Sequence, residues 1–315
     1  MNVLITGGTG NIGSRLVVPL VRRGDRVVVF DIRSTPNFHS PEFSKAEVIT
    51  GDLGDRDTLL ELVKSLKIDS VFHFGAVLSG SAEENPYDAW RANMDGTLNI
   101  LDAARLGGAQ RVMFSSTVAT YGEHAPRNLN DDSPQWPISL YGVTKVAGER
   151  MGVYYHHKFG LDFRAIRLPI ILTSHAAAGA ASAYAAAVFE HSVLAGEFDF
   201  WVNPTTRAPM LYIDDAVQSF IDLHDAPSAN LKRRVYNIHG MSPSAEELER
   251  AVQARVPHAR IGYKPDHAKC SIIESWPHQI DDSEAKRDWN WQPSWDLNKT
   301  ADEIIGLLKD ELQSK

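Results

Sequence analysis

The 315-residue chain contains one cysteine, Cys270. A lone thiol forms no internal disulfide and no thiolate metal centre, so it reads as a small buried side chain in a reducing compartment. No apolar run approaches the roughly 20 residues that cross a bilayer, and no charged segment with a cleavage site opens the sequence. The expectation is a cytoplasmic protein without a membrane partner. Positive charge is scarce as well: 32 Lys and Arg face 40 Asp and Glu, a net charge of −8. No basic cluster interrupts that balance, which argues against nucleic acid as a partner. The twelve histidines include no HExxH or paired-ligand spacing, so no metal is expected. His156 and His157 are adjacent and point apart on a helix. The chain also lacks any repeat of fixed period.

What is present is a hydrophobic fraction of 43% with 9% aromatics, enough to fold one large domain or two packed lobes. Short β-branched runs alternate with amphipathic stretches through the first half. Strands are read at "MNVLITG", "DRVVVFD", "AEVITGDL", "DSVFHFGA" and "RVMFSS", with helices at 12–23, 56–65 and 89–106. The alternation predicts an α/β fold, a Rossmann-type doubly wound parallel sheet over residues 1–168. From 169 to 315 the rhythm loosens into loops, short helices and Trp/Pro-rich segments. That part reads as a smaller α+β lobe that binds substrate, with some segments returning to the first lobe. Trp289, Trp291 and Trp295 are bulky packing residues there. The paired acids of "YIDDA" and "IDDSE" read as helix caps.

The turn "TGGTGNIG" follows the first strand and opens a helix, placing Gly7, Gly10 and Gly13 three apart. Glycines there let a pyrophosphate approach bare N–H groups at a helix N-terminus. Asp31 closes the next strand, where a carboxylate accepts from both ribose hydroxyls and repels a 2′-phosphate, favouring NAD over NADP. Arg33, two residues on, is the one residue that speaks for NADP. Asp52 ends the third strand and has two readings, adenine contact or a turn or cap position.

A second pattern carries the chemistry. "YGVTK" sets Tyr141 and Lys145 four apart on one helix face, where an ammonium beside a phenol lowers the phenol pKa and makes it a general acid/base. Upstream, Ser115, Ser116 and Thr117 place hydroxyls at the C-terminal edge of the sheet, where open α/β folds bind ligands.

Together these motifs resemble the extended short-chain dehydrogenase/reductase superfamily, from the start of the chain to about residue 170. The resemblance makes Thr117, Tyr141 and Lys145 the catalytic trio and Asn93 a structural asparagine. It assigns NAD contacts to Gly7, Gly10, Asn11, Ile12, Gly13, Asp31, Ile32, Arg33, Asp52, Leu53, Gly75, Ala76, Val77, Asn93, Ser115, Tyr141, Lys145 and Leu168. It assigns substrate contacts to Leu78, Ser79, Ser116, Thr117, Tyr141, Ser182 and Trp276, and it implies a homodimer. Sugar-nucleotide dehydratases carry an Asp-Glu pair after the catalytic Thr; here Val118 and Ala119 stand there. Sugar-nucleotide epimerases carry an arginine at the position of Ala208, with Arg207 displaced by one residue, which weakens the 4-epimerase alternative.

The second half, in "YYHHKFGLDFRAIRLP", "YKPDHAKCSIIESWP" and "IDDSEAKRDWNWQPSWDL", is similar to the short-chain type of L-threonine 3-dehydrogenases. The run "SHAAAGAASAYAAA" departs from that pattern, with nine alanines in fourteen residues. It keeps Gly179 and a hydroxyl at Ser182, and Ala183 replaces an acidic neighbour. It reads as a loop feeding a pocket-lining helix, with a buried packing helix as the other reading. A similar run, and "VLSGSAE", occur in D-erythronate dehydrogenase-like enzymes. The expected activity is NAD-dependent oxidation of a secondary alcohol on L-threonine or a related β-hydroxy acid. Sugar-acid oxidation, 4-epimerisation and a non-catalytic NAD sensor are the alternatives.

Overall fold

β1 (Asn2–Thr6) and β2 (Arg26–Asp31) are near-continuous apolar runs, and Val3, Leu4, Ile5, Val28 and Val29 are fully buried. Burial on both faces is what a parallel sheet covered by helices demands. β1 pairs in parallel with both β2 and β4 (Ser70–His73), so that Leu4 lies opposite Val28 and Val71. With β3 (Glu47–Thr50), β5 (Arg111–Thr117), β7 (Asp162–Leu168) and β11 (Val235–Asn237), the seven-stranded order is β11-β7-β5-β4-β1-β2-β3. Chain order reverses between β1 and β4, which makes their C-terminal ends the switch point where α/β sheets bind ligands.

The computed structural model describes every residue except 123, 127, 177–179, 275 and 315, and of Ala181 the backbone only. The chain divides into two units. The first comprises Met1–Thr120, Pro137–Arg167 and Val217–Tyr236. It holds the sheet and its flanking helices α1 (Asn11–Arg22), α2 (Arg56–Ser65), α3 (Ser79–Glu84), α4 (Pro86–Trp90), α5 (Gly96–Gly107) and α6 (Leu140–Phe159). Caps set several of their ends: the Asp55 carboxylate accepts from the Thr58 amide at 3.1 Å and the Ser139 hydroxyl from the Gly142 amide at 3.1 Å. Helix α6 needs glycine to lie close on the sheet, because a Cβ at Gly152 would meet the Phe163 ring at 2.1 Å. The helix read at 89–106 is interrupted: α4 and α5 are joined by a π-helical turn, Arg91–Asp95.

α8 (Ile213–Asp225) ends in the first unit, where fully buried Arg164 of β7 holds it. The guanidinium donates to the carbonyls of Leu223, His224 and Ala226 at 2.5, 3.1 and 2.7 Å, and to Asp162 at 2.8 Å. These carbonyls at and just past the helix end lack intrahelical partners, and the charge suits the negative end of the helix dipole.

The second unit comprises Tyr121–Trp136, Leu168–Ala216 and Asn237–Lys315. Three short parallel pairs run through it: β6 (Asn128–Leu129) with β13 (Gln279–Ile280), β8 (Ile170–Leu172) with β10 (Met210–Tyr212), and β9 (Glu197–Phe200) with β12 (Arg260–Tyr263). Around them stand α7 (Tyr184–Leu194), α9 (Ala245–Gln253), α10 (His267–Glu274), α11 (Ser283–Trp289) and α12 (Leu297–Gln313). Trp289 and Trp291 are buried, and the Trp291 indole donates to Asp282 at 3.1 Å. The Trp295 ring packs on Tyr212 with centroids 4.3 Å apart. Asp215 corrects one expectation. It accepts the amides of Ser294 and Trp295 at 2.9 to 3.1 Å and so fixes the approach to α12, instead of capping its own helix.

Candidate active site

Gly7 links β1 to α1 with a φ of 67°, and a Cβ on it would lie 2.5 Å from the Gly75 amide. Only glycine fits there. The N-terminus of α1 has no side-chain cap and no acid in its first turn, leaving its amides for an anion. Thr9 is fully buried and its hydroxyl has no partner among the described residues. Asp31 accepts the amides of Thr9 and Arg33 at 3.1 and 3.3 Å, which aims its carboxylate across the same turn. Ile32 and Arg33 are exposed beyond it, and Asn11 accepts from the Asn37 side chain at 3.0 Å. A glycine cradle, orphan amides and an oriented carboxylate fit a dinucleotide.

Asp52 is in a turn: one oxygen accepts the Gly54 amide at 2.8 Å, and the other pairs with Arg91 from the π turn. Asp55, not Asp52, caps α2. Asn93, also in the π turn, is 3% exposed and clamps Val77 by accepting its amide at 2.8 Å and donating to its carbonyl at 3.0 Å. Its amide nitrogen also reaches the Thr144 hydroxyl at 3.2 Å, tying the loop after β4 to α6. π turns recur at functional sites because the extra residue re-aims a side chain. Gly75 and Ala76 lie between β4 and this clamp, and the Leu53 carbonyl accepts from Asn99 at 2.9 Å.

Tyr141 and Lys145 rise from the first turns of α6. The lysine Nζ donates to the Ser115 carbonyl at 2.8 Å and lies 4.7 Å from the Phe114 ring centroid and 5.6 Å from that of Tyr141. Thr117 ends β5, its hydroxyl accepting from the Ala119 amide at 3.2 Å. The turn after it touches α6 closely, since a Cβ at Gly142 would come within 2.4 Å of the Ala119 carbonyl. Burial drives the Lys145 pKa down to about 7 against the opposing charge of Glu149. Burial also pushes the Tyr141 hydroxyl up to about 12, the reverse of the shift expected from its lysine neighbour. In this enclosed site desolvation outweighs the cation. Buried His73 is held neutral, its pKa lowered to about 3 by burial and then by Lys145.

The model of the NAD dependent epimerase/dehydratase family matches residues 3–238. The chain belongs to this family. L-threonine 3-dehydrogenase, mitochondrial, of Bos taurus is 38% identical over 313 residues, covering 98% of this chain and 83% of that protein. The L-threonine dehydrogenase structure from Phytophthora infestans superposes with a TM-score of 0.91 at 34% identity, over 99% of this chain and 100% of that one. A monomeric L-threonine 3-dehydrogenase from a metagenome gives 0.90 at 32% identity, over 98% and 99%. This member of the family is therefore an NAD-dependent enzyme of the extended short-chain dehydrogenase/reductase type.

Among the other expected site residues, Ser116 turns inward. It is 1% exposed and donates to Glu149 at 2.5 Å, because side chains alternate along β5 and leave Ser115 and Thr117 on the other face. Leu78 is exposed and Ser79 starts α3. Leu168 is buried at the end of β7. In the second unit Ser182 lies in the 3-10 turn Ala181–Ala183 that leads into α7, and this turn packs against α10. Ala185, Ala186 and Ala187 are buried in α7, and Gly179 lies outside the described residues. Trp276 is half-buried and donates its amide to the Ile273 carbonyl at 3.0 Å. Cys270 is buried. Among the described residues no cluster of three His, Cys, Asp or Glu suits a metal, and no helix is long and apolar enough to cross a membrane. Arg91, Glu149 and Arg167 belong to none of the sequence motifs; the i, i+4, i+8 spacing of Tyr141, Lys145 and Glu149 is the signal that points to one of them.

Proposed function

We propose that the chain oxidises the secondary alcohol of a small polar substrate, L-threonine or a related β-hydroxy acid. The observation that carries the reading is Tyr141 and Lys145 meeting on α6 beside the end of β5, in a chain similar to L-threonine 3-dehydrogenases over nearly its whole length. Gly7, Gly10, Gly13, the α1 amides, Asp31 and Asp52 hold NAD, and Ser182 and Trp276 are the residues whose exchange changes substrate preference. NAD supplies the acceptor for the hydride that leaves the carbinol carbon with its electron pair. Thr117 hydrogen-bonds the substrate oxygen. The alcohol O–H proton passes to the Tyr141 phenolate oxygen, and a ketone results. Because burial opposes ionisation of Tyr141, a charged Lys145 is what makes the phenolate accessible, and Lys145 itself titrates close to neutrality.

The epimerase alternative loses support from Arg207. Its guanidinium pairs with Glu247 at 3.0 Å and donates to the Ser242 carbonyl, so it is engaged and not free to grip a diphosphate. Exposed Leu98, Leu106, Tyr154 and Phe159 on α5 and α6 support a homodimer, which light scattering of the purified protein tests. For the activity, purified protein is given NAD with L-threonine, 3-hydroxy acids, D-erythronate or a UDP-sugar, and NADH absorbance is followed. NADH from L-threonine is the expected result. NADH from D-erythronate alone means the alanine run has changed the pocket, and no NADH from any alcohol defeats the reading.

A further inference from the structure

Tyr141, Lys145 and Glu149 follow one another at i, i+4 steps along α6 and so share a face. Glu149 is fully buried and Arg167, on β7, is 2% exposed. The guanidinium grips the carboxylate with two donors, Nε to Oε1 at 2.9 Å and Nη2 to Oε2 at 2.8 Å, and the Ser116 hydroxyl adds a third at 2.5 Å. One carboxylate of the helix that carries Tyr141 and Lys145 thus ties α6 to β5 and β7. A buried ion pair costs more in desolvation than packed apolar residues of similar volume would, so stability alone does not account for it. What this carboxylate, paired with Arg167, offers its neighbours is negative charge held in place by three donors.

The group that feels this charge is Lys145. Around it stand Tyr141 and Glu149 on α6, the Ser115 carbonyl and Phe114 ring on β5, and neutral His73 on β4. Glu149 is the anion in that set. We infer that Glu149 is a positioning residue for the proton transfer: clamped by Arg167 and Ser116, it keeps the Lys145 ammonium charged and so makes Tyr141 ionisable. Burial lowers the lysine pKa to about 7, with Glu149 the opposing influence. The inference rests on Tyr141 being the proton-transfer group of the proposed function.

Two variants break the same ion pair with opposite electrostatic consequences. Glu149→Gln removes the anion and leaves the Arg167 guanidinium without its counter-charge, which disfavours the ammonium and raises the pH at which Tyr141 ionises. Arg167→Gln leaves Glu149 less compensated, which favours the ammonium and lowers that pH. The measurement is kcat/KM for alcohol oxidation against pH. Glu149→Gln moves the acid limb upward by about one unit, about a tenfold loss at a pH on that limb, and Arg167→Gln moves it downward. Curves lowered evenly at every pH, or limbs displaced in the same direction, overturn the inference and leave the pair a packing device. Should one variant not fold, the direction of displacement in the other still decides. Tyr141→Phe separates the two readings: retained activity defeats the proton-transfer role, whereas lost activity with an unmoved Glu149→Gln limb defeats only this inference.

Discussion

Strand β7 carries two buried arginines three residues apart, and alternation puts them on opposite faces of the sheet. Arg164 reaches Asp162, the final carbonyls of α8 and the Ser228 hydroxyl, at 2.8 Å for the last. Arg167 reaches Glu149 of α6. Both are planar forks that satisfy carboxylates in two-point contact. Their partners differ in one respect that matters: Asp162 is shared among Arg164, Arg111 and Arg234, far along the strand from the catalytic end, while Glu149 lies on the helix that carries Tyr141 and Lys145. The same chemistry thus anchors a helix end on one face and, on our inference, sets the charge of a catalytic lysine on the other. Burial and hydrogen bonding alone do not separate these roles; the neighbours do.

The contrast can be broken most forcefully at Arg164. Arg164→Met leaves the Leu223 and Ala226 carbonyls without their donor and Asp162 with Arg111 and Arg234 as its remaining guanidinium partners, and unfolding by denaturant registers a loss of about 3–5 kcal/mol. The folded fraction keeps the wild-type pH profile of turnover; a displaced acid limb would erase the distinction between the two arginines. A smaller loss, about 1–3 kcal/mol, follows Gly152→Ala, because the added methyl overlaps the Phe163 ring and the crowding forces α6 off the sheet. Thermal melts of this variant that match wild type would mean the helix sits more loosely than described.

Acid sharpens the comparison further. Burial alone raises the Asp162 carboxyl, but hydrogen bonds and charge from Arg164 and then Arg111 outweigh it and hold the group well below the usual carboxylate range. A depressed folded-state value contributes stability that is complete above the unfolded value of about 3.9 and disappears as pH falls through the folded one. Wild-type unfolding free energy therefore declines below that point, and Arg164→Met declines less steeply. An identical slope would remove Asp162 as the linked group. On the pH profile the least effect belongs to Ser116→Ala, which deletes one of three donors to Glu149 and leaves its charge. It costs about 1.5–3 kcal/mol and displaces the acid limb by less than Glu149→Gln does.

Much of this was readable in the sequence because it is local. The glycine turn, Asp31 and the strand-helix alternation are short-range patterns, and α2 occupies the stretch read for it, residues 56–65. Tyr141 and Lys145 are a helix spacing. What escaped is long-range or collective. The sequence suggests that some later segments return to the first lobe but not which; residues 217–236 belong to the first unit, where Arg164 and β11 hold them through contacts no window of sequence contains. The continuous helix read at 89–106 hides a π turn, since its residues, RANMD, include no glycine or proline to mark a break. The direction of the Tyr141 shift depends on how much water the fold removes, and a lysine four residues away says nothing about that. Ser116 reads as a site hydroxyl until strand alternation is combined with a carboxylate 33 residues on.

The most direct test of the account is NADH formation from L-threonine by the wild-type chain beside Tyr141→Phe, with NAD in both. The account predicts steady turnover by the wild type and a fall of about 10²–10⁴-fold in the variant, the contribution expected of a general acid/base. Equal rates in the two proteins would contradict it, because the proton would then be moving through a group other than Tyr141.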